Sequence, residues 1–197
     1  MKLLAQACSF VLIFGGIGFS QQDQPTQPSK TEHQGTPCTT AELPSSIGAI
    51  LSKQFPAWQV QVPQDLGKLA GVRWKSEKQS RCPGITRGEF NSGKEPSYAV
   101  LLVPRGVSKN GYRFLAFDHI EGMSYSAVTL DESDEEPSSN FFIRAASVGR
   151  FFDEASRRKF HPEGKDVIVL VDCGDNEYEA DVYFRTNGGY QHEPVDY

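Results

Sequence analysis

The first clear periodic pattern of apolar residues along the chain has helical spacing. Its apolar positions are Ile47, Ile50, Leu51 and Phe55. Steps of three and four residues place these side chains on one face of a helix. Pro44 suits the first turn of a helix, and Pro56 is expected to end it. The pattern therefore predicts an amphipathic helix over residues 44–55, with its apolar face packed on a sheet.

Further along the chain, the pattern is typical of β-strands. Apolar residues alternate with polar ones, or form short continuous runs, in the segments 58–62, 98–103, 112–117, 125–130, 141–143, 166–172 and 178–185. Asn110-Gly111 tolerates the positive φ angles of a tight turn, so the strands on either side of it are expected to pair antiparallel. Asn187-Gly188-Gly189 is a second turn signal.

Two segments carry no decisive pattern. Residues 63–87 are mixed in character, and residues 151–160 fit either a short helix or a hairpin around Glu154-Ala155-Ser156. The remaining elements predict that residues 38–197 form a single α+β domain. We expect this domain to be mainly an antiparallel sheet of short strands, with one N-terminal amphipathic helix packed on it.

The start of the chain has the layout of a secretory signal peptide. Lys2 precedes an apolar run, and the small residues Gly18 and Ser20 lie just before a cleavage point at Gln21. The alternative is a membrane anchor, but the most continuous apolar stretch, 10–19, is shorter than the roughly 20 residues needed to cross a bilayer. Residues 1–20 are therefore predicted to be removed on export to the periplasm or the outside of the cell, which leaves no inserted segment.

The segment that follows, residues 21–37, is rich in Gln, Pro and Thr and has no large apolar residue. Such a composition buries too little surface to offset the entropy of ordering the chain. We expect a disordered spacer between the signal peptide and the domain.

The net charge of the chain narrows the classes of ligand that it is expected to bind. The 197 residues include 20 Lys and Arg against 25 Asp and Glu, for a net charge of −5. This acidic balance argues against nucleic acid as a partner. The acidic run 131–136 is predicted to be a solvated loop, because consecutive like charges repel, with a cation site as the alternative. The basic run 157–159 is expected to be a solvated face.

Three cysteines follow the predicted signal peptide. Cys38 and Cys82 lie in turn-like surroundings, and we expect them to form a disulfide in an exported protein. Cys173 ends a buried-looking strand and is expected to remain a core thiol. A bridge between Cys82 and Cys173 is the alternative pairing, since an odd count leaves at least one thiol over.

One segment resembles a known motif. Residues 88–100 read G-E-F-N-S-G-K-E-P-S-Y-A-V, which resembles the segment G-D-F-D-G-D-G-K-P-D-Y-A-V of exported proteins with integrin-like calcium loops. The positions that the resemblance assigns to calcium are Glu89, Asn91, Glu95 and Ser97. Of the four Asp positions in the motif, Glu89 alone keeps a carboxylate, and Gly93 replaces the third. Because Ca²⁺ needs six to eight oxygens, we expect a structural turn with no metal and no cofactor.

A wider resemblance covers residues 44–197. The order of Cys-Pro-Gly, this loop, Tyr-Ala-Val-Leu-Leu and a closing Asn-Gly-Gly-Tyr resembles a group of small uncharacterised secreted bacterial proteins. The resemblance implies a fold and no activity.

Catalytic motifs are absent from the sequence. It has no G-x-S-x-G, no H-E-x-x-H and no phosphate-binding glycine loop. His161 stands in an H-x-E triplet, but the paired cysteines of a zinc deaminase do not follow. His119 and His192 each neighbour a carboxylate in sequence, a pattern that is usually a surface pair.

The leading hypothesis is therefore an exported, non-catalytic domain that binds a protein or a glycan. Aromatic side chains on a sheet face suit such contacts, and the expected exposed aromatics are Tyr112, Tyr183, Tyr190 and Tyr197. The alternative is a secreted hydrolase, in which His119, His161 or His192 would meet Asp and Glu side chains in one pocket. A structural envelope protein with no ligand is the third possibility.

Overall fold

Two antiparallel sheets face each other in the part of the chain that the structure describes. The structure is a computed structural model, and it describes residues 38, 40–77, 81–106, 110–120, 122–174 and 178–196. The predicted signal peptide, the predicted spacer and Tyr197 lie outside the described residues.

The described residues form four α-helices: α1 (Ser45–Gln54), α2 (Lys68–Glu77), α3 (Val148–Phe151) and α4 (Glu154–Phe160). Three short 3-10 turns accompany them, at Thr40–Glu42, Pro63–Asp65 and Ser138–Asn140. Within this part of the chain, none of the helices is long and apolar enough to cross a membrane.

The strands are β1 (Trp58–Val60), β2 (Ile85–Gly88), β3 (Ser97–Pro104), β4 (Asn110–His119), β5 (Tyr125–Pro137), β6 (Phe141–Ser147), β7 (Asp166–Asp172), β8 (Glu179–Thr186) and β9 (Gly189–Asp196). The first sheet has the order β1-β3-β4-β5, and β2 pairs with β3 beyond the end of β1. The second sheet has the order β6-β7-β8-β9. The predicted α+β class is confirmed, and the strands form two sheets.

Continuous apolar runs in central strands such as β3 and β7 give each sheet two apolar faces. Helix α1 covers the outer face of the first sheet, where Ile47 and Leu51 meet Val100 and Leu115. Helices α2, α3 and α4 cover the outer face of the second sheet. The inner faces pack against each other, as shown by the edge-on contact of Phe114 with Tyr183, whose ring centroids are 5.1 Å apart.

The predicted N-terminal helix is confirmed, and a second helix appears where the sequence carried no clear pattern. Helix α2 buries Ala70 and leaves Leu69 and Val72 exposed, Val72 by 62%. Its apolar residues therefore do not form one stripe, which explains why no period was visible. The position of this helix is set by its packing on the second sheet. The helical alternative for residues 151–160 is also confirmed, because the Asp153 side chain accepts a 2.7 Å hydrogen bond from the Ser156 amide and begins α4.

The acidic run 131–136 is strand, and the prediction of a loop there is wrong. Strand β5 continues through the run to Pro137 and pairs with β4. Arg113 on β4 offsets the repulsion, since its guanidinium lies 3.1 Å from Glu132 and 2.6 Å from Asp134. The same guanidinium lies over the Trp58 ring. A cation on the neighbouring strand thus lets consecutive acids remain extended.

The two sheets are joined along one side and open along the other. On the joined side, the Ile143 amide donates to the Pro83 carbonyl at 2.8 Å, and the Asp166 amide donates to the Glu89 carbonyl at 3.1 Å. The Gln61 side chain also donates to the carbonyls of Ser138 and Phe141. On the open side, β5 and β9 are the edge strands of their sheets.

Candidate functional site

A groove of about 510 Å³ lies between the two sheets, at the end of the second sheet where Phe141, Asp172 and Glu179 are neighbours across β6, β7 and β8. The first sheet contributes β4 and β5 to its walls, and the second contributes the strands from β6 to β9. We call it the acidic groove, after the carboxylates in its lining: Asp131, Glu136, Asp172, Glu179 and Asp181. No described Lys, Arg or His belongs to the lining. The groove therefore concentrates negative charge on a concave surface.

The floor of the acidic groove is apolar. Phe141 and Leu170 form it, and both are buried. Phe141 and Leu170 belong to the layer between the sheets, where Phe141 packs against the Tyr112 ring at 4.9 Å between centroids. An apolar floor below a charged rim is suited to a ligand that has both an apolar stem and a charged end.

Asp131 is held in place by two tyrosines. Its Oδ2 accepts a 2.7 Å hydrogen bond from the Tyr112 hydroxyl and lies 3.4 Å from the Tyr183 hydroxyl, and its Oδ1 accepts from the Glu132 amide. Burial raises the pKa of Tyr112 and of Tyr183 above the usual value, and the Asp131 charge raises both pKa values further. Both hydroxyls thus keep their protons and act as donors.

The expectation that Tyr112 and Tyr183 are exposed is wrong. Each is only 4% exposed, because each lies on the inner face of its sheet. Tyr190 is half-buried, and its hydroxyl donates to Asp118 at 2.9 Å. These tyrosines support the walls between the sheets, and the carboxylates in front of them form the accessible surface.

The three histidines that the structure describes occupy different settings. His119 Nε2 lies 2.7 Å from the Gly122 carbonyl in the turn after β4, and His161 caps the C-terminal end of α4. His192 stacks on Tyr183, and its Nδ1 lies 3.5 Å from Asp181 Oδ1. Of the three, His192 is therefore the one beside a carboxylate of the acidic groove.

The loop that resembles a calcium site is organised around a carboxylate. Asn91 Nδ2 and Ser97 Oγ both donate to Asp118 Oδ1, at 3.1 Å and 3.3 Å. The Arg185 guanidinium donates to Asp118 Oδ2. Asn91 and Ser97 thus direct hydrogen-bond donors at an anion, where a calcium loop would direct oxygens at a cation.

The other two positions of that loop point elsewhere. Glu89 forms a 2.6 Å ion pair with Lys165, and Glu95 is exposed. Among the described residues, no group of three or more His, Cys, Asp or Glu side chains is arranged to hold a metal ion. The four positions that the resemblance assigns to calcium therefore do not converge.

Cys38 and Cys82 come together as thiols, and they are not at the distance of a disulfide. Cys38 Sγ donates to the Arg81 carbonyl at 3.3 Å, and Cys82 Sγ donates to the Gln61 carbonyl at 3.6 Å. The predicted bridge is therefore not formed: the two neighbouring cysteines remain thiols, and each donates a hydrogen bond to a backbone carbonyl. Burial raises the pKa of both, and it raises the pKa of the Cys173 core thiol to about 11.

Sequence reasoning missed Asp118, Arg185 and Asp131 as organising residues. Asp118 occupies an inward position on β4, whose other inward residues, Tyr112, Phe114 and Ala116, are aromatic or apolar. A charged residue in phase with an apolar face is the signal that could have found Asp118, because a buried charge requires partners.

The chain matches no family model, no curated protein and no solved structure. The resemblance of residues 88–100 to a calcium loop thus stays a prediction. The functional interpretation therefore rests on the residues of the chain itself.

Proposed function

We propose that this protein is an exported, non-catalytic binding domain whose acidic groove binds a Lys- or Arg-rich segment of another protein. The observation that carries the proposal is the combination of five lining carboxylates with an apolar floor. Basic side chains match both features, since their aliphatic stems suit the floor and their charged ends suit the rim.

Charge repulsion within the groove supports a cationic ligand. Asp131, Glu179 and Asp181 all line the groove, and no described Lys, Arg or His lines it with them. A basic segment would relieve this repulsion, and the field of the groove would raise its association rate at low salt.

The edge strands favour recognition through side chains over addition of a ligand strand. Along β5, the amide of Glu132 donates to the Asp131 side chain, and the amides of Glu135 and Glu136 donate to Ser133 Oγ. Pro194 in β9 has no amide hydrogen to offer. Edges blocked in this way resist pairing with another strand.

The test is titration of the folded chain with an oligoarginine peptide, with an oligoglutamate peptide as the opposite-charge control. We expect saturable binding of the basic peptide that weakens with added salt. Glu179→Gln combined with Asp181→Asn should weaken it about tenfold at low salt. The matched control is Glu95→Gln, which removes an exposed carboxylate of the 88–97 loop. Equal weakening by the control, or equal binding of the acidic peptide, would refute the proposal.

The second candidate is the secreted hydrolase. The contact of His192 with Asp181 beside the groove is the observation that favours it. The two side chains are 60% and 39% exposed and 3.5 Å apart, which is typical of a surface pair. A panel of peptide, ester and glycoside substrates should show no turnover. Turnover by the wild type that His192→Gln abolishes would favour the hydrolase.

A further inference from the structure

A second pocket lies on the joined side of the sheets, between β2 and β6. It has a volume of about 350 Å³. Arginines supply three of its eight described lining residues: Arg81, Arg87 and Arg144. Glu42 is the one acid among those eight. In a protein with a net charge of −5, this pocket concentrates positive charge, and it shares no lining residue with the acidic groove.

The structure fixes Arg144, whereas Arg81 and Arg87 lie at the exposed edge of the pocket. Arg144 on β6 is only 2% exposed, and its guanidinium lies 2.9 Å from Glu77 of α2. Arg87 is the cross-strand partner of Tyr98, and its guanidinium lies 5.9 Å from the centre of that ring. The Arg81 carbonyl accepts a hydrogen bond from the Cys38 thiol, and this bond ties the backbone of Arg81 to the start of the domain.

We infer that this arginine pocket binds a single oxyanion group, a carboxylate, sulfate or phosphate carried by a small ligand. Guanidinium groups present paired N–H donors that match the oxygens of such groups. Thr86, which is buried in the lining, adds a hydroxyl. The half-buried Tyr98 ring adds an apolar wall for the rest of the ligand. Arg144, which its ion pair with Glu77 already orders, loses little entropy on binding.

The inference is independent of the proposed function, and its test is titration of the folded chain with inorganic phosphate, sulfate and glucuronate at constant ionic strength. Chloride and glucose are the charge and sugar controls. Chemical shifts of backbone amides in β2 and β6 report binding. We expect saturable shifts in these strands with at least one oxyanion and none with glucose. A stronger response to glucuronate identifies an acidic sugar as the source, and a stronger response to phosphate or sulfate identifies a phosphorylated or sulfated ligand.

Arg87→Gln should weaken this binding roughly fivefold or more, because it removes a charge-assisted hydrogen-bond donor. The matched control is Arg158→Gln, an exposed arginine of α4 outside the pocket, which should leave affinity unchanged. Arg87→Gln should also leave oligoarginine binding to the acidic groove unchanged. Failure of one proposal would therefore leave the other intact. Shifts that do not saturate, that match those with chloride, or that weaken equally in Arg158→Gln overturn the inference.

Discussion

The carboxylate of Asp118, at the end of β4, accepts a hydrogen bond from the guanidinium of Arg185 on β8 and so connects the inner faces of the two sheets. Asp118 is buried and also accepts from Tyr190 on β9 and from Asn91 and Ser97 at the ends of the 88–97 loop. One carboxylate thus joins both sheets and the loop. Because its partners supply the donors and Arg185 supplies the positive charge, this buried anion is compensated.

Asp118→Asn should destabilise the domain by about 2–3 kcal/mol, because it removes the nearer carboxylate partner of Arg185, leaving Glu163 at 3.6 Å, and replaces an acceptor with an amide. Urea denaturation measures the loss. A double-mutant cycle with Arg185→Gln should show coupling of about 1 kcal/mol or more. Glu95→Gln, on the exposed part of the same loop, should stay within about 0.5 kcal/mol of the wild type. A loss for Asp118→Asn no larger than that of the control would contradict this assignment.

Calcium should not stabilise the wild-type protein. Asn91 and Ser97 donate to Asp118, and Glu89 pairs with Lys165, so few oxygens are directed at a common point. Thermal unfolding with millimolar calcium and with EDTA checks this. We expect equal midpoints in both. A calcium-dependent rise in midpoint that EDTA reverses would show that the loop keeps a metal site.

The domain should lose stability in alkali through its buried tyrosines. Burial and the nearby Asp118 or Asp131 raise the pKa of Tyr112, Tyr183 and Tyr190 above their usual value. An unfolded tyrosine titrates near pH 10, so the folded state holds these protons more tightly. The stabilisation is fully present below about pH 10 and is lost as the pH rises above it.

Urea midpoints measured at increasing pH, together with tyrosinate absorbance, check this expectation. Part of the tyrosine absorbance change should appear only when the protein unfolds. Complete ionisation of all tyrosines near pH 10 in a protein that is still folded would rule out the effect.

The buried thiols should react slowly in the folded protein. Burial raises the pKa of Cys38, Cys82 and Cys173, and the thiolate is the reactive form. Alkylation near pH 8 followed by peptide mapping reports each site. We expect slow labelling of all three in the native state and fast labelling in denaturant. Rapid native labelling of Cys173, whose pKa is about 11, would contradict the buried setting.

Gly164→Ala should destabilise the domain by about 2 kcal/mol or more, because a Cβ there would lie 2.3 Å from the Glu89 carbonyl oxygen. That carbonyl accepts the Asp166 amide across the joined side of the sheets. Gly48→Ala in α1 is the matched control, since no atom beyond the adjacent residues and the backbone of its own helix lies within 4 Å of the position that its methyl group would take, and alanine favours a helix. It should stabilise by about 0.5–1 kcal/mol. If urea denaturation showed Gly164→Ala to be more stable than Gly48→Ala, the close contact at Gly164 would be refuted.

Local pattern was enough to predict most elements. Strands such as 98–103 and 166–172 were visible because their residue types and alternation are properties of a few neighbouring positions. Helix α1 was visible for the same reason. The continuation of β5 through 131–136 was not, because it depends on Arg113 of another strand.

The candidate site depended on contacts between distant residues. Sequence alone showed that Tyr112, Tyr183 and the acids exist, and it indicated an acidic α+β domain. Only the tertiary structure decided that the strands divide into two facing sheets, that Tyr112 and Tyr183 turn inward on Asp131, and that Asp118 and Arg185 meet. The physical reason is that the type of an element follows from local periodicity, whereas its buried partner follows from the packing of all elements at once.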